Sequence, residues 1–302
     1  MKEIIRTPEN RFDNLEGYEF QSKYTTVEKD VRLHYLDEGT KKKPVVLLLH
    51  GEPSWSYLYR KMIPFLSDRF RVIAPDLIGF GKSDKFVNRQ DYSYQKHIDW
   101  ITTFIEKLNL TNIILFCQDW GGLIGLRVIT EMESRFDMVI ASNTTLPTGS
   151  EPTRESFMQW RAYSQHSPGF DIGKVIDMGT LQPLSEKVKV AYNAPFPSEH
   201  YKAGARIFPT LVPIEPDDPE AIKNRKAWDK LRSWDKPFLT LFGDEDAIMI
   251  GAEKKLQKYI PGTAGQHHKM LNAGHFIQEE KGEELAELLI EFYEKNTTAN
   301  TV

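Results

Sequence analysis

Five consecutive apolar residues, Val45-Val46-Leu47-Leu48-Leu49, are cut off at once by His50-Gly51-Glu52-Pro53. A run this short and uniformly apolar reads as a strand covered on both faces, because a strand with one wet face alternates. The pattern returns at Ile113-Ile114-Leu115-Phe116, before a glycine-rich turn, and at Phe238-Leu239-Thr240-Leu241-Phe242, before Gly243. Helical periodicity lies between these runs; residues 94–108 place Ile98, Ile101, Ile105 and Leu108 on one face. Buried strands separated by helices predict an α/β fold: a mostly parallel sheet, right-handed crossovers and helices on both faces. Further strand signals fall at 24–28 and 31–36 around Lys29-Asp30, at 71–74 before Pro75-Asp76, at 138–141 and at 270–271. Helices are expected over 57–66, over 121–132 and from about 279 through 292.

The alternation stops after Pro147. Residues 148–231 carry aromatics, prolines and amphipathic pieces but no clear strand. They predict a helical cap inserted into a core domain made of residues 1–147 and 232–302. A net charge of −4 gives no reason to expect nucleic acid or a membrane surface as partner. The single cysteine, Cys117, forms no intrachain disulfide, and the first residues lack the apolar core of a signal peptide. A cytoplasmic monomer is the expectation.

The chemistry concentrates at Cys117-Gln118-Asp119-Trp120-Gly121-Gly122. A strand, a nucleophile flanked by two residues, then glycines and a helix describe an elbow that lifts one side chain clear of a parallel sheet. Aspartate in that place is informative. A serine that displaced a leaving group from saturated carbon would form an ether that water cannot easily cleave. A carboxylate forms an ester, with a carbonyl for water to attack. Asp119 therefore points to substitution at sp³ carbon, as in alkyl halides or epoxides. An isolated aspartate after a strand is otherwise a helix N-cap. Here a carboxylate cluster, Asp244-Glu245-Asp246, follows the strand ending at Gly243, and His275 follows the last strand. Nucleophile, acid and histidine stand in the chain order of an α/β-hydrolase triad. Backbone N–H groups of Glu52 and Trp120 would form the oxyanion hole. An indole N–H is a neutral donor on an apolar ring, suited to holding a halide without trapping it. Trp120 is one such donor, and Trp160, early in the cap, is the best candidate for a second. Phe157, Ile207 and Phe208 are expected to line the substrate pocket. His267 and His268 read as exposed neighbours of the last strand.

The chain resembles the haloalkane dehalogenases of the α/β-hydrolase fold over nearly its whole length from about Arg6. The resemblance rests on His50-Gly51-Glu52-Pro53-Ser54-Trp55, Pro75-Asp76-Leu77-Ile78-Gly79-Phe80-Gly81-Lys82-Ser83-Asp84, Gln118-Asp119-Trp120-Gly121-Gly122 and Ala273-Gly274-His275-Phe276. The cap stretch Tyr192-Asn193-Ala194-Pro195-Phe196-Pro197 also fits. It is most similar to the subgroup with glutamate after His-Gly, two halide-binding tryptophans and the acid after the seventh strand. Other members place the acid one strand earlier, where this chain has Ser142-Asn143 and no carboxylate. The family pattern selects Asp246, the third residue after Gly243. Cys117 departs from it, standing where glycine or another small residue is usual. The resemblance implies an eight-stranded sheet, a haloalkane substrate, water and halide as reaction partners, and no cofactor or metal. An epoxide hydrolase is the rival, with Tyr163, Tyr192 and Tyr201 available as cap acids.

Overall fold

A computed structural model describes residues 2–298; Met1 and residues 299–302, the end of the expected core domain, lie outside that range. One sheet contains β1 (Lys23–Glu28), β2 (Val31–Glu38), β3 (Val45–Leu49), β4 (Arg71–Pro75), β5 (Ile113–Gln118), β6 (Phe136–Ser142), β7 (Phe238–Gly243) and β8 (Lys269–Leu271). Their spatial order is β8-β7-β6-β5-β3-β4-β2-β1. All pairs from β4 across to β8 are parallel; β2 pairs antiparallel with both β1 and β4. Every residue of β3, β5 and β7 is buried. Successive side chains point to opposite faces, so full burial requires helices on both. Each aliphatic side chain so covered contributes about 1.5–3 kcal/mol, before chain entropy is counted against it.

The helices are α1 (Ile63–Ser67), α2 (Tyr94–Lys107), α3 (Trp120–Glu131), α9 (Ala252–Tyr259) and α10 (Ile277–Thr298), with five more between β6 and β7. Those five are α4 (Glu155–His166), α5 (Ile172–Met178), α6 (Glu186–Asn193), α7 (Ala203–Leu211) and α8 (Pro219–Leu231), and no strand interrupts them among the described residues. Ser93 caps α2, its hydroxyl accepting from the Lys96 N–H at 3.2 Å. No described helix is long and apolar enough to cross a membrane.

Three local expectations change. The helix expected over 57–66 is a 3₁₀ turn, Ser56–Tyr59, followed by the short α1. Pro64 is the reason: it has no N–H for a continuous helix, and its ring is tolerated only in a first turn. Helix α9 gave no signal, because only Leu256 and Glu253 on it are buried and the rest is largely charged. His268 is half-buried rather than exposed. Its Nδ1 accepts the Thr240 N–H at 3.1 Å and its Nε2 lies 3.0 Å from the Thr263 carbonyl, so it ties β7 to the turn before β8.

Candidate active site

Asp119 occupies the sharp turn between β5 and α3 with φ 50° and ψ −123°. A non-glycine residue there costs on the order of 1–3 kcal/mol and persists only where its surroundings hold it. They do. The Asp119 N–H donates to the Asn143 carbonyl at 3.1 Å, and its own carbonyl accepts from Gly122 N–H at 2.9 Å and from the Thr144 hydroxyl at 2.7 Å. Gly121 permits the close start of α3: a Cβ there would lie 2.0 Å from the Leu49 carbonyl. The Asp119 side chain makes no capping hydrogen bond to α3. Its Oδ1 instead accepts the Glu52 N–H at 2.7 Å, from the loop after β3.

His275 approaches from the loop after β8. Its Nδ1 lies 2.8 Å from Asp246 Oδ2, and its Nε2 lies 3.6 Å from Asp119 Oδ2. Of the three clustered carboxylates, Asp246 is the one bonded to His275. Its other oxygen accepts the N–H groups of Ile248 at 2.9 Å and Met249 at 3.1 Å. Glu245 is exposed and Asp244 partly so. Two holders had no signal in the sequence as such. Asn143 Nδ2 donates to the Gly274 carbonyl at 2.9 Å while its Oδ1 accepts the Gly243 N–H at 2.7 Å. Gln118 Nε2 donates to the His275 carbonyl at 3.1 Å. All three contacts span 100 or more positions of chain, which no local pattern encodes.

The charges interlock. Burial pulls the His275 imidazole down, but the charge of Asp246 and the contact with Asp119 push it up to about 10. Burial acts on Asp246 in the opposite sense; His275 and the two N–H groups outweigh it and hold that carboxyl below its ordinary value. Glu52 is driven well above the ordinary carboxylate range, by burial first and by the charge of Asp119 second, with His275 and the Trp160 indole opposing.

These groups open into a cavity of about 440 Å³ walled mainly by apolar side chains, among them Leu123, Phe157, Val175, Met178 and Val212. Of the six tryptophans, Trp120 and Trp160 line it. Trp120 is wedged edge-on against Tyr94 and Phe208, with centroids at 5.0 and 4.5 Å; Trp160 stacks on Phe170 at 5.7 Å. Trp55, Trp100, Trp228 and Trp234 are buried elsewhere. Phe157 lies in the wall as expected, but Ile207 and Phe208 do not. Helix α7 turns Phe208 inward, between Phe80, His97 and the back of Trp120, and the cavity is met by Pro209 and Val212 instead. No tyrosine is among the described residues lining the cavity. The Tyr192 hydroxyl donates to Glu279, and Tyr163 is exposed.

Residues 44–282 match the α/β hydrolase fold family. Sheet order, elbow and chain order of the three charged groups thus define an α/β hydrolase whose elbow carries a carboxylate. A haloalkane dehalogenase of Psychrobacter cryohalolentis is 53% identical over 97% of this chain and 99% of its own length. One from Mycolicibacterium paratuberculosis is 50% identical over 95% of this chain and 97% of its own. The tetrameric haloalkane dehalogenase DpaA from Paraglaciecola agarilytica superimposes with a TM-score of 0.89 at 37% identity, covering 94% of this chain and 97% of that one. The chain belongs to the haloalkane dehalogenases.

Proposed function

We propose that the chain converts haloalkanes to alcohol and halide through an ester on Asp119. The observation that carries this is the position of Asp119 in the cavity wall, with Oδ1 anchored by the Glu52 N–H and Oδ2 3.6 Å from His275 Nε2. Oδ2 forms a bond to the alkyl carbon as the carbon–halogen bond breaks and the halide departs with the electron pair. The indole N–H groups of Trp120 and Trp160 donate to the departing ion. Water then attacks the ester carbonyl as His275 Nε2, oriented by Asp246, takes its proton. The oxyanion develops on Oδ1, beside the N–H groups of Glu52 and Trp120. Collapse releases the alcohol and leaves one solvent oxygen on Asp119. Glu52, whose buried side chain favours the protonated form, supplies a further hydrogen-bond partner for that water. Residues 148–231 act as a cap domain on a core of residues 1–147 and 232–302. The reading keeps the monomer expected from the sequence, to be checked by light scattering.

The rival epoxide reaction needs an acid for the ring oxygen, and none of Tyr163, Tyr192 and Tyr201 lines the cavity. The two chemistries separate in one assay: bromide release from 1-bromobutane is expected, with no diol from styrene oxide. Diol without bromide would reverse the assignment. Replacing Trp160 by Phe keeps a ring but deletes its donor. Hydrogen bonds to charged groups are worth about 1.5–3 kcal/mol, so halide affinity, read by quenching of the remaining tryptophan fluorescence, should weaken roughly tenfold or more. Unchanged quenching would place the second donor on another residue.

A further inference from the structure

Glu280 stands half-buried in the first turn of α10, outside every role given so far. Its two oxygens accept from backbone N–H groups in separate parts of the molecule. Oε1 takes the Leu181 N–H at 2.8 Å, and Oε2 takes the Gly274 N–H at 2.7 Å. Leu181 lies just past α5, in the helical segment between β6 and β7; Gly274 immediately precedes His275. The same two stretches meet again where the Phe276 N–H donates to the Gly179 carbonyl at 3.2 Å. A Cβ on Gly274 would lie 2.4 Å from that carbonyl oxygen, so the two backbones press together with no side chain between. Met178 and Gly179 wall the cavity beside His275 and Phe276. The loop of His275 is therefore held from the sheet by Asn143 and Gln118, and from the cap segment by Glu280. An ionised carboxylate accepts at both oxygens, and such bonds are stronger than neutral ones. An amide in its place matches one N–H and turns its own donor on the other.

We infer that Glu280 is a positioning residue for ester hydrolysis: it fixes the peptide that carries His275 against residues 179–181 of the cap segment, and so sets where Nε2 meets water. This rests on the ester reading above. Asp119 is anchored by the Glu52 N–H and by its own turn, neither of which involves Glu280, so the alkylation step is independent of it. A displaced catalytic group costs up to about a hundredfold in rate.

The test is rapid-quench kinetics of Glu280→Gln with 1-bromobutane. The expected result is a bromide burst of about one equivalent at the wild-type rate, followed by ester decay slowed roughly tenfold or more. Because kcat/KM reports the steps up to halide release, it should hold its wild-type value while kcat and KM fall together. Intact-mass measurement should find ester accumulating. Glu280→Ala, which leaves both N–H groups to water, is the second variant and should partition the same way. Wild-type ester decay in both variants, or burst and turnover reduced in equal proportion, would overturn the role. His275→Phe run in parallel separates the two ideas. An ester trapped there while both Glu280 variants behave as wild type sinks only the positioning role. No ester in His275→Phe sinks the covalent reading and this role with it.

Discussion

Asp119→Ala releases no halide above background, with kcat/KM lowered by roughly 10⁴-fold or more. The size follows from what remains. The cavity, both indoles, His275 and Asp246 are still present in that variant, but none of them can form the bond to carbon. His275 cannot substitute, because its Nδ1 is held by Asp246 at 2.8 Å and its Nε2 stands behind Asp119 at 3.6 Å. The turn should survive, since the backbone of residue 119 supplies its own restraints through Asn143, Gly122 and Thr144. A melting curve close to wild type is the accompanying control. The same claim has a positive form. Wild-type enzyme turned over once in heavy-oxygen water should carry the label in the peptide containing Asp119. An unlabelled peptide would mean that water attacks the substrate directly.

His275→Phe has the opposite signature: about one equivalent of halide, then arrest, with the enzyme heavier by the alkyl group. Alkylation consumes an ionised carboxylate and needs no base, whereas general-base help is worth roughly 10²–10⁴-fold in the hydrolysis that follows. Continued turnover in this variant would remove His275 as the base. The electrostatics add a pH dependence. In the free enzyme His275 lies between two carboxylates and holds its proton up to about 10. Ester formation neutralises Asp119, one of the sources of that upward shift. The imidazole pKa then falls, and the ring can release its proton and serve as base. Single-turnover ester hydrolysis should thus rise with pH through a value below about 10, while the halide burst should not share that rise. A flat hydrolysis profile would contradict the assignment.

Much of the site was legible because its parts lie where chain order meets strand ends. Asp119, the carboxylate cluster and His275 each follow a strand signal, and parallel sheets build sites at those ends. What stayed open locally was decided by distance. Asp244, Glu245 and Asp246 are all carboxylates to a local reading, and only the family pattern singles out Asp246; the fold buries that one against His275. Asn143 offers no carboxylate after β6, and its amide instead bridges the end of β7 to the loop after β8. Ile207 and Phe208 are expected in the pocket from their place in residues 148–231, but a helix exposes its faces unequally. Phe208 faces the back of Trp120, and its neighbour Pro209 meets the cavity.

The sequence by itself determined the alternation of buried strands and helices, the interruption by a helical segment, and the carboxylate at the elbow. Those are properties of neighbouring residues: apolar period, turn chemistry and a nucleophile's type. Tertiary structure alone decided which residues of the helical segment between β6 and β7 line the cavity, and what holds the His275 loop from either side. Those are contacts between residues tens to hundreds of positions apart, and they exist only once the sheet has set its strand order and the helices have packed against it.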